Sequence, residues 1–222
     1  CYTAPTFYRQ MAALADRYDL SSLRHPVSAG EALPDATRQL WKQATGIEIT
    51  DGIGGTEVIH IYIAAAGADV RAGYIGKAVP GYEAQIVDEH MQPVPEGTPG
   101  RLAVRGPTGC RYLSDPRQRD YVKAGWNLPG DTFVMEQGYF RYLARNDDMI
   151  VSAGYNIAGP EVESALLQHP AVSECGVIGA ADTERGQVVT AVVVLKPGHT
   201  GDAAMAEVLQ QFVKETIAPY KY

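Results

Sequence analysis

Cysteine is scarce: only Cys1, Cys110 and Cys175 occur in 222 residues, and no two of them form a CxxC pair. An odd number at wide spacing argues against a disulfide framework or a zinc site and fits a reducing compartment, the cytoplasm. The plain reading is three small side chains, buried or half-buried. Positive charge is also short, with 19 Lys and Arg against 26 Asp and Glu and a formal net charge of −7. A large nucleic-acid footprint needs a basic face, so nucleic acid is not expected as a partner; a local basic pocket for a nucleotide is still compatible. No apolar run approaches the ~20 residues of a membrane span, and no signal peptide is seen. Neither end, CYTAPTFYRQM or APYKY, reads as a finished domain edge. What is present is 45% hydrophobic and 20% charged, the composition of an ordinary globular protein. The length allows one sizeable domain, or one domain and a small one.

The pattern along the chain changes twice. Residues 5–18 read as a helix, with Pro5 in the first turn and Phe7, Met11, Leu14 and Tyr18 at helical spacing. Residues 25–29 read as a strand, and SAGEALP follows as a loop. Residues 34–44 read as a second helix with Leu40, Trp41 and Ala44 inward, closed by Gly46. A strand at 47–50 then runs into a loop, DGIGGTE. The middle is strand-rich, with short strands at 83–87, 101–104 and 139–143 separated by turn signals. Beyond Arg145 the spacing becomes that of a compact α+β unit. It has a helix at 160–169 marked by Pro160, Glu161, Glu163 and Pro170, β-rich runs at 172–178 and 188–195, and an amphipathic helix at 203–217. Asn146-Asp147-Asp148 marks the boundary. No repeats or low-complexity tracts occur.

Four loops carry chemistry. In Asp51-Gly52-Ile53-Gly54-Gly55-Thr56-Glu57, three glycines allow close backbone approach to a ligand. Thr56 brings a hydroxyl, and Glu57 brings a hard carboxylate suited to Mg²⁺. The plainer reading is a flexible turn with an exposed acid. Ser28-Ala29-Gly30-Glu31-Ala32 is a small-residue turn able to lie against a planar base, or an ordinary helix entry. Asp131, after Gly130, is able to accept two hydrogen bonds from a ribose diol, or to act as a cap. Arg145 suits phosphate or ribose, or a surface ion pair with the acids that follow it.

The order of these segments carries more than any one of them. SAGEALP, DGIGGTE, GDT, RNDDMI and SAGYNIAGPEVE together resemble the adenylate-forming superfamily of acyl-CoA ligases, adenylation domains and luciferases, over essentially the whole chain. SAGEALP, DGIGGTEVIH and DDMIVSAGYNIAGPEVE are most similar to benzoate- and 2-aminobenzoate-CoA ligases.

The resemblance implies a mixed α/β and α+β fold. Residues 1–146 form the C-terminal portion of the large AMP-binding domain, an α/β layer plus a small strand-rich subdomain. Residues 147–222 form a small mobile C-terminal domain, incomplete. It implies ATP, Mg²⁺ and coenzyme A as cofactors and a small-molecule carboxylic acid as substrate. Thr56 contacts phosphate, and Glu57 holds the metal. Gly30, Glu31 and Ala32 line one side of the adenine, and Asp51, Gly52 and Ile53 the other, with Ile53 where many relatives carry an aromatic. Asp131 holds the ribose, and Arg145 supports ribose or phosphate. Asp147 is the hinge, Gly154 lies beside the pantetheine tunnel, and Asn156 meets phosphate in a second conformation. Ile59 and His60 line the acyl pocket, with His60 alternatively a core histidine.

Two departures qualify this. Nothing matches the family's Ser/Thr/Gly-rich phosphate loop, which lies upstream of these motifs. The family's catalytic lysine lies beyond an APYKYPR-like segment, which this chain enters only as far as Tyr222. Lys214 and Lys221 do not fit the lysine motif, so the chain alone is expected to be inactive. A fatty acyl-CoA ligase, a carrier-protein adenylation domain and a non-catalytic nucleotide-binding remnant are the alternatives.

Overall fold

The computed structural model describes residues 1–218. The chain divides into two compact units, Cys1–Tyr142 and Leu143–Tyr222. The change of pattern read from the sequence falls slightly later, after Asn146.

The first unit opens with a layer of helices on a five-stranded sheet. Its strands are β1 (Tyr2–Thr3), β2 (Val27–Ser28), β3 (Thr50–Gly55), β4 (His60–Ala65) and β5 (Lys77–Ala78), in that spatial order. β1, β2 and β3 run parallel, β4 is antiparallel to β3, and β5 is antiparallel to β4. The helices are α1 (Pro5–Ala12) and α2 (Asp35–Thr45).

Helix α1 is shorter than its periodicity predicts and is rotated. It stops at Ala12, a short 3₁₀ turn follows at Ala15–Arg17, and Phe7 and Tyr18 are exposed. Tyr8 goes inward instead of Phe7. Its hydroxyl reaches the carbonyls of Cys1 at 3.3 Å and Val27 at 3.0 Å, and its ring meets Trp41 edge-on at 5.0 Å. A buried tyrosine whose hydroxyl is satisfied gives up no hydrogen bond for its apolar burial. In α2 only Trp41 of the expected apolar face is buried, and Leu40 and Ala44 are exposed. Gly46 closes α2 at φ 73°, its N–H bonded to the Lys42 carbonyl. The strand expected at 47–50 begins only at Thr50. It then runs through the glycines expected to form a loop.

The second sheet comprises β6 (Glu83–Val87), β7 (Gly100–Arg105), β8 (Val122–Lys123), β9 (Trp126–Asn127), β10 (Asp131–Glu136) and β11 (Tyr139–Arg145), with a one-turn helix α3 (Gln118–Tyr121) between β7 and β8. Val58, Tyr62 and Ile63 pack with Ile86, Leu102, Val104, Phe133 and Phe140 in one core, which ties this sheet to β4.

The second unit has a hairpin of β12 (Ile150–Ser152) and β13 (Tyr155–Ile157), then α4 (Gly159–Leu166), β14 (Val172–Asp182), β15 (Gly186–Leu195) and α5 (Ala203–Thr216). The strands form one sheet in the order β13-β12-β15-β14. Val162, Leu166, Leu209 and Val213 from the helices pack on Ile150, Ile157, Val172 and Val177 from the strands. Asp202 caps α5 by accepting from the Met205 N–H at 2.9 Å.

Of the cysteines, Cys110 and Cys175 are half-buried, whereas Cys1 is exposed; all three are free thiols. Among the described residues no helix is long and apolar enough to cross a membrane.

Candidate functional site

In the parallel part of the first sheet Ser28 of β2 stands beside Asp51 of β3. The segment holding Gly30, Glu31 and Ala32 therefore leaves the sheet next to Asp51, Gly52 and Ile53. Ligands of open α/β sheets lodge outside the carboxyl ends of parallel strands. Gly30 turns the chain there at φ 97°. Glu31 and Ala32 are exposed, and Thr6 Oγ1 donates to the Glu31 carboxylate at 3.3 Å. The Asp51 carboxylate accepts from the Gly52 N–H at 3.0 Å. Burial pushes its carboxyl up to about 7, against the pull of that hydrogen bond and of Arg38.

The close approach that Gly52 and Gly54 permit is that of β4. A Cβ on Gly52 would lie 2.8 Å from the Ile61 side chain, and one on Gly54 would lie 2.5 Å from the His60 carbonyl oxygen. Gly55 has no such clash, its nearest neighbour being Glu57 Oε2 at 3.5 Å.

A four-residue turn, 56–59, joins β3 to β4. Thr56 is exposed on it. Glu57 is half-buried and accepts a hydrogen bond on Oε1 from the Tyr112 hydroxyl at 2.7 Å. That bond, more than burial, lifts the Tyr112 phenol to about 12. Val58 plunges into the core, and its carbonyl accepts from Thr108 Oγ1. Ile59 adopts φ 64° with 77% of its surface exposed. The His60 ring stacks on Tyr82 at 6.0 Å and 11°. It is exposed, so it is not a core histidine.

The donors here fit one kind of cation site. Among the described residues no three His, Cys, Asp or Glu cluster around a common point. An all-protein cage is therefore not on offer. Magnesium commonly takes one or two carboxylates and completes its shell with substrate phosphates and water. Glu57, with Oε1 on Tyr112 and no hydrogen bond or ion pair to Oε2 among the described residues, matches that pattern.

Asp131 opens β10 and is only 6% exposed, preceded by Gly130 at φ 90°. The remaining residues lie in the second unit. Arg145 ends β11, and its Nε stands 3.5 Å from the exposed Asp147 carboxylate in the turn that follows. Ala153 and Gly154, both at positive φ (48° and 83°), make the two-residue turn between β12 and β13. A Cβ on Gly154 would meet nothing within 4 Å, so it is the backbone conformation that calls for glycine there. Asn156 is exposed on β13, opposite Val151. Lys214 sits in the last turn of α5, and Lys221 lies outside the described residues.

The sequence did not single out Tyr82, Thr108 or Tyr112. Tyr112 meets Glu57 across 55 positions and Thr108 meets Val58 across 50, so no local spacing signals either contact.

Residues 1–112 match the AMP-binding enzyme family, and residues 161–222 match the AMP-binding enzyme C-terminal domain. The chain belongs to this family of adenylate-forming enzymes, and its mixed α/β fold with several sheets is theirs. It is 40% identical to the mitochondrial acyl-coenzyme A synthetase ACSM5 of Homo sapiens, over 98% of this chain and 40% of that protein. It is 37% identical to the benzoate–CoA ligase of Thauera aromatica, over 100% of this chain and 43% of that one. The anthranilate CoA ligase AuaEII, solved in complex with anthranoyl-AMP, superposes with a TM-score of 0.91 at 41% identity, covering 99% of this chain and 44% of its own. The chain thus spans less than half the length of each.

Proposed function

We propose that this chain serves an AMP-forming acyl-CoA ligase that activates an aromatic carboxylic acid, of benzoate or 2-aminobenzoate type, and passes it to coenzyme A. The observation that carries the reading is the 56–59 turn. It follows the carboxyl end of the parallel strand β3, whose neighbour β2 leads into the segment with Gly30, and it offers a threonine hydroxyl and a carboxylate oxygen. The substrate carboxylate attacks the α-phosphate of ATP and pyrophosphate leaves; the thiol then attacks the mixed anhydride and AMP leaves. The first step brings two anions together, so charge neutralisation is its main demand.

In this reading Thr56 donates to phosphate, and Gly30, Glu31 and Ala32 face Asp51, Gly52 and Ile53 across the adenine. Asp131 takes the ribose hydroxyls, and Arg145 supports ribose or phosphate. Glu57 holds Mg²⁺, which when bound screens the repulsion and polarises the phosphate. Residues up to 146 act as part of the large domain. Residues from 147 act as a small domain that turns about Asp147, bringing Gly154 to the pantetheine path and Asn156 to phosphate. Ile59 and the His60 ring, flat on Tyr82, wall the acyl pocket, and the likeness to benzoate- and anthranilate-CoA ligases supports an aromatic acid. The similarity to acyl-coenzyme A synthetase ACSM5 favours a second reading, in which the acid is of another class.

The test is AMP release by the full-length enzyme across a panel of carboxylic acids, followed by Glu57→Gln. Benzoate or 2-aminobenzoate should lead the panel. The variant should lose adenylation on the order of 10²-fold, the equivalent of about 3 kcal/mol, while thioester formation from synthetic acyl-adenylate falls much less. Release of no AMP with any acid would instead mark a non-catalytic nucleotide binder.

A further inference from the structure

The segment after β7 grips the 56–59 turn at two points. Thr108 holds the Val58 carbonyl and shares a hydrogen bond with the Tyr82 hydroxyl at 2.5 Å. Tyr112 holds the Glu57 side chain through Oε1 at 2.7 Å. Tyr112 is itself well fixed. Its N–H donates to Gln118 Oε1 at 2.7 Å, and its ring lies 5.6 Å from that of Tyr121. The Arg117 guanidinium stands 5.7 Å from the ring centroid and is held in turn by the Asp115 carboxylate.

A glutamate has three rotatable bonds, and its terminal torsion is broad. A carboxylate that meets a cation with one oxygen needs its other oxygen anchored if it is not to spend binding energy on ordering. Hydrogen bonds to ligating carboxylates from the next layer of residues do this in metal sites generally.

We propose that Tyr112 is a positioning residue of the adenylation site, its hydroxyl holding Glu57 by Oε1 and leaving Oε2 for the divalent cation. This rests on the reading of Glu57 as the cation's protein ligand. Tyr112→Phe removes the hydroxyl and keeps the ring with its contacts to Tyr121 and Arg117, so the fold is expected to be retained.

The experiment titrates Mn²⁺ against the full-length enzyme with a non-hydrolysable ATP analogue present, reading free Mn²⁺ by electron paramagnetic resonance. Four variants are compared with wild type: Tyr112→Phe, Glu57→Gln, the two combined, and Thr108→Val. A hydrogen bond to a charged group is worth roughly ten- to a hundredfold, so Tyr112→Phe should weaken Mn²⁺ by at least about tenfold. The combined variant should bind no more weakly than Glu57→Gln alone, because the hydroxyl acts only through that carboxylate. The Mg²⁺ concentration needed for half-maximal adenylation should rise by a similar factor, with thioester formation from preformed acyl-adenylate unchanged. Wild-type Mn²⁺ affinity in Tyr112→Phe beside weakened affinity in Glu57→Gln would overturn the role of Tyr112 alone. Wild-type affinity in both would overturn the reading of Glu57, and this proposal with it. Equal weakening by Thr108→Val would assign the effect to the stability of the segment and overturn a specific role for the hydroxyl.

Discussion

Gly54 lies so close to His60 that a Cβ at position 54 would stand 2.5 Å from the His60 carbonyl oxygen. The neighbour is backbone, held in the β3–β4 pairing at a point where the register shifts between Ile53 and Gly54. No rotamer change relieves it. Gly54→Ala should therefore force the two strands apart and disturb the turn carrying Thr56 and Glu57. We expect a loss of about 2–4 kcal/mol in unfolding free energy, in the range of severe backbone and overpacking defects. Chemical denaturation of the purified chain measures it. A loss below about 0.5 kcal/mol would mean that the strands are not packed this tightly.

Ile59 presents the opposite case. A β-branched residue at φ 64° is strained, at a cost of about 1–3 kcal/mol, and with 77% of its surface exposed it has little packing to lose. Glycine adopts this conformation freely, at some entropic cost in the unfolded chain. Ile59→Gly should stabilise the chain by about 1 kcal/mol in a thermal melt. If the residue walls the acyl pocket, discrimination among acids in the full-length enzyme should fall. A less stable variant would show that Ile59 packs against something more than the strain costs.

Asp51 gives the stability of the chain a pH dependence of definite sign. Its carboxyl is raised from the ordinary 3.8 to about 7, chiefly by burial. The folded state thus keeps a proton that the unfolded chain releases. The resulting stabilisation is fully present below about pH 4 and is lost as pH rises through about 7. Asp51→Asn has no proton to lose, so the difference in urea midpoint between variant and wild type should grow in the variant's favour from pH 4 to pH 7 and level off above. Parallel curves across that window would remove Asp51 as the source.

The sequence made several elements legible because their signals are local. Pro5 at a first helical turn, Gly46 in the left-handed conformation after α2, and Pro160 with Glu161 at the start of α4 are dihedral and dipole preferences acting within a few residues. They are legible in kind, with the ends of α2 and α4 displaced by one to three residues and α1 cut short at Ala12. The face of α1 is not. Phe7, Met11, Leu14 and Tyr18 share the helical period, but which stripe turns inward depends on partners that periodicity does not name. Tyr8 won because two carbonyls and the edge of Trp41 were waiting for it.

The candidate site divides along the same line. Residue types in order, from SAGEALP through DGIGGTE to SAGYNIAGPEVE, settled the family, because each motif is a contiguous stretch whose chemistry is written in its own side chains. The glycines of DGIGGTE signal a loop in the sequence, since glycine next to glycine is a turn signal. Only pairing with β4 showed that they are strand, made small by the nearness of Ile61 and His60. The bracing of Glu57 by Tyr112, and of the turn backbone by Thr108, belongs wholly to the tertiary structure. Neither residue stands in a patterned relation to its partner. A hydrogen bond across fifty or more positions exists only once two sheets have packed around Val58, Tyr62 and Phe133, and the shared core decides which loop comes to lie over which turn.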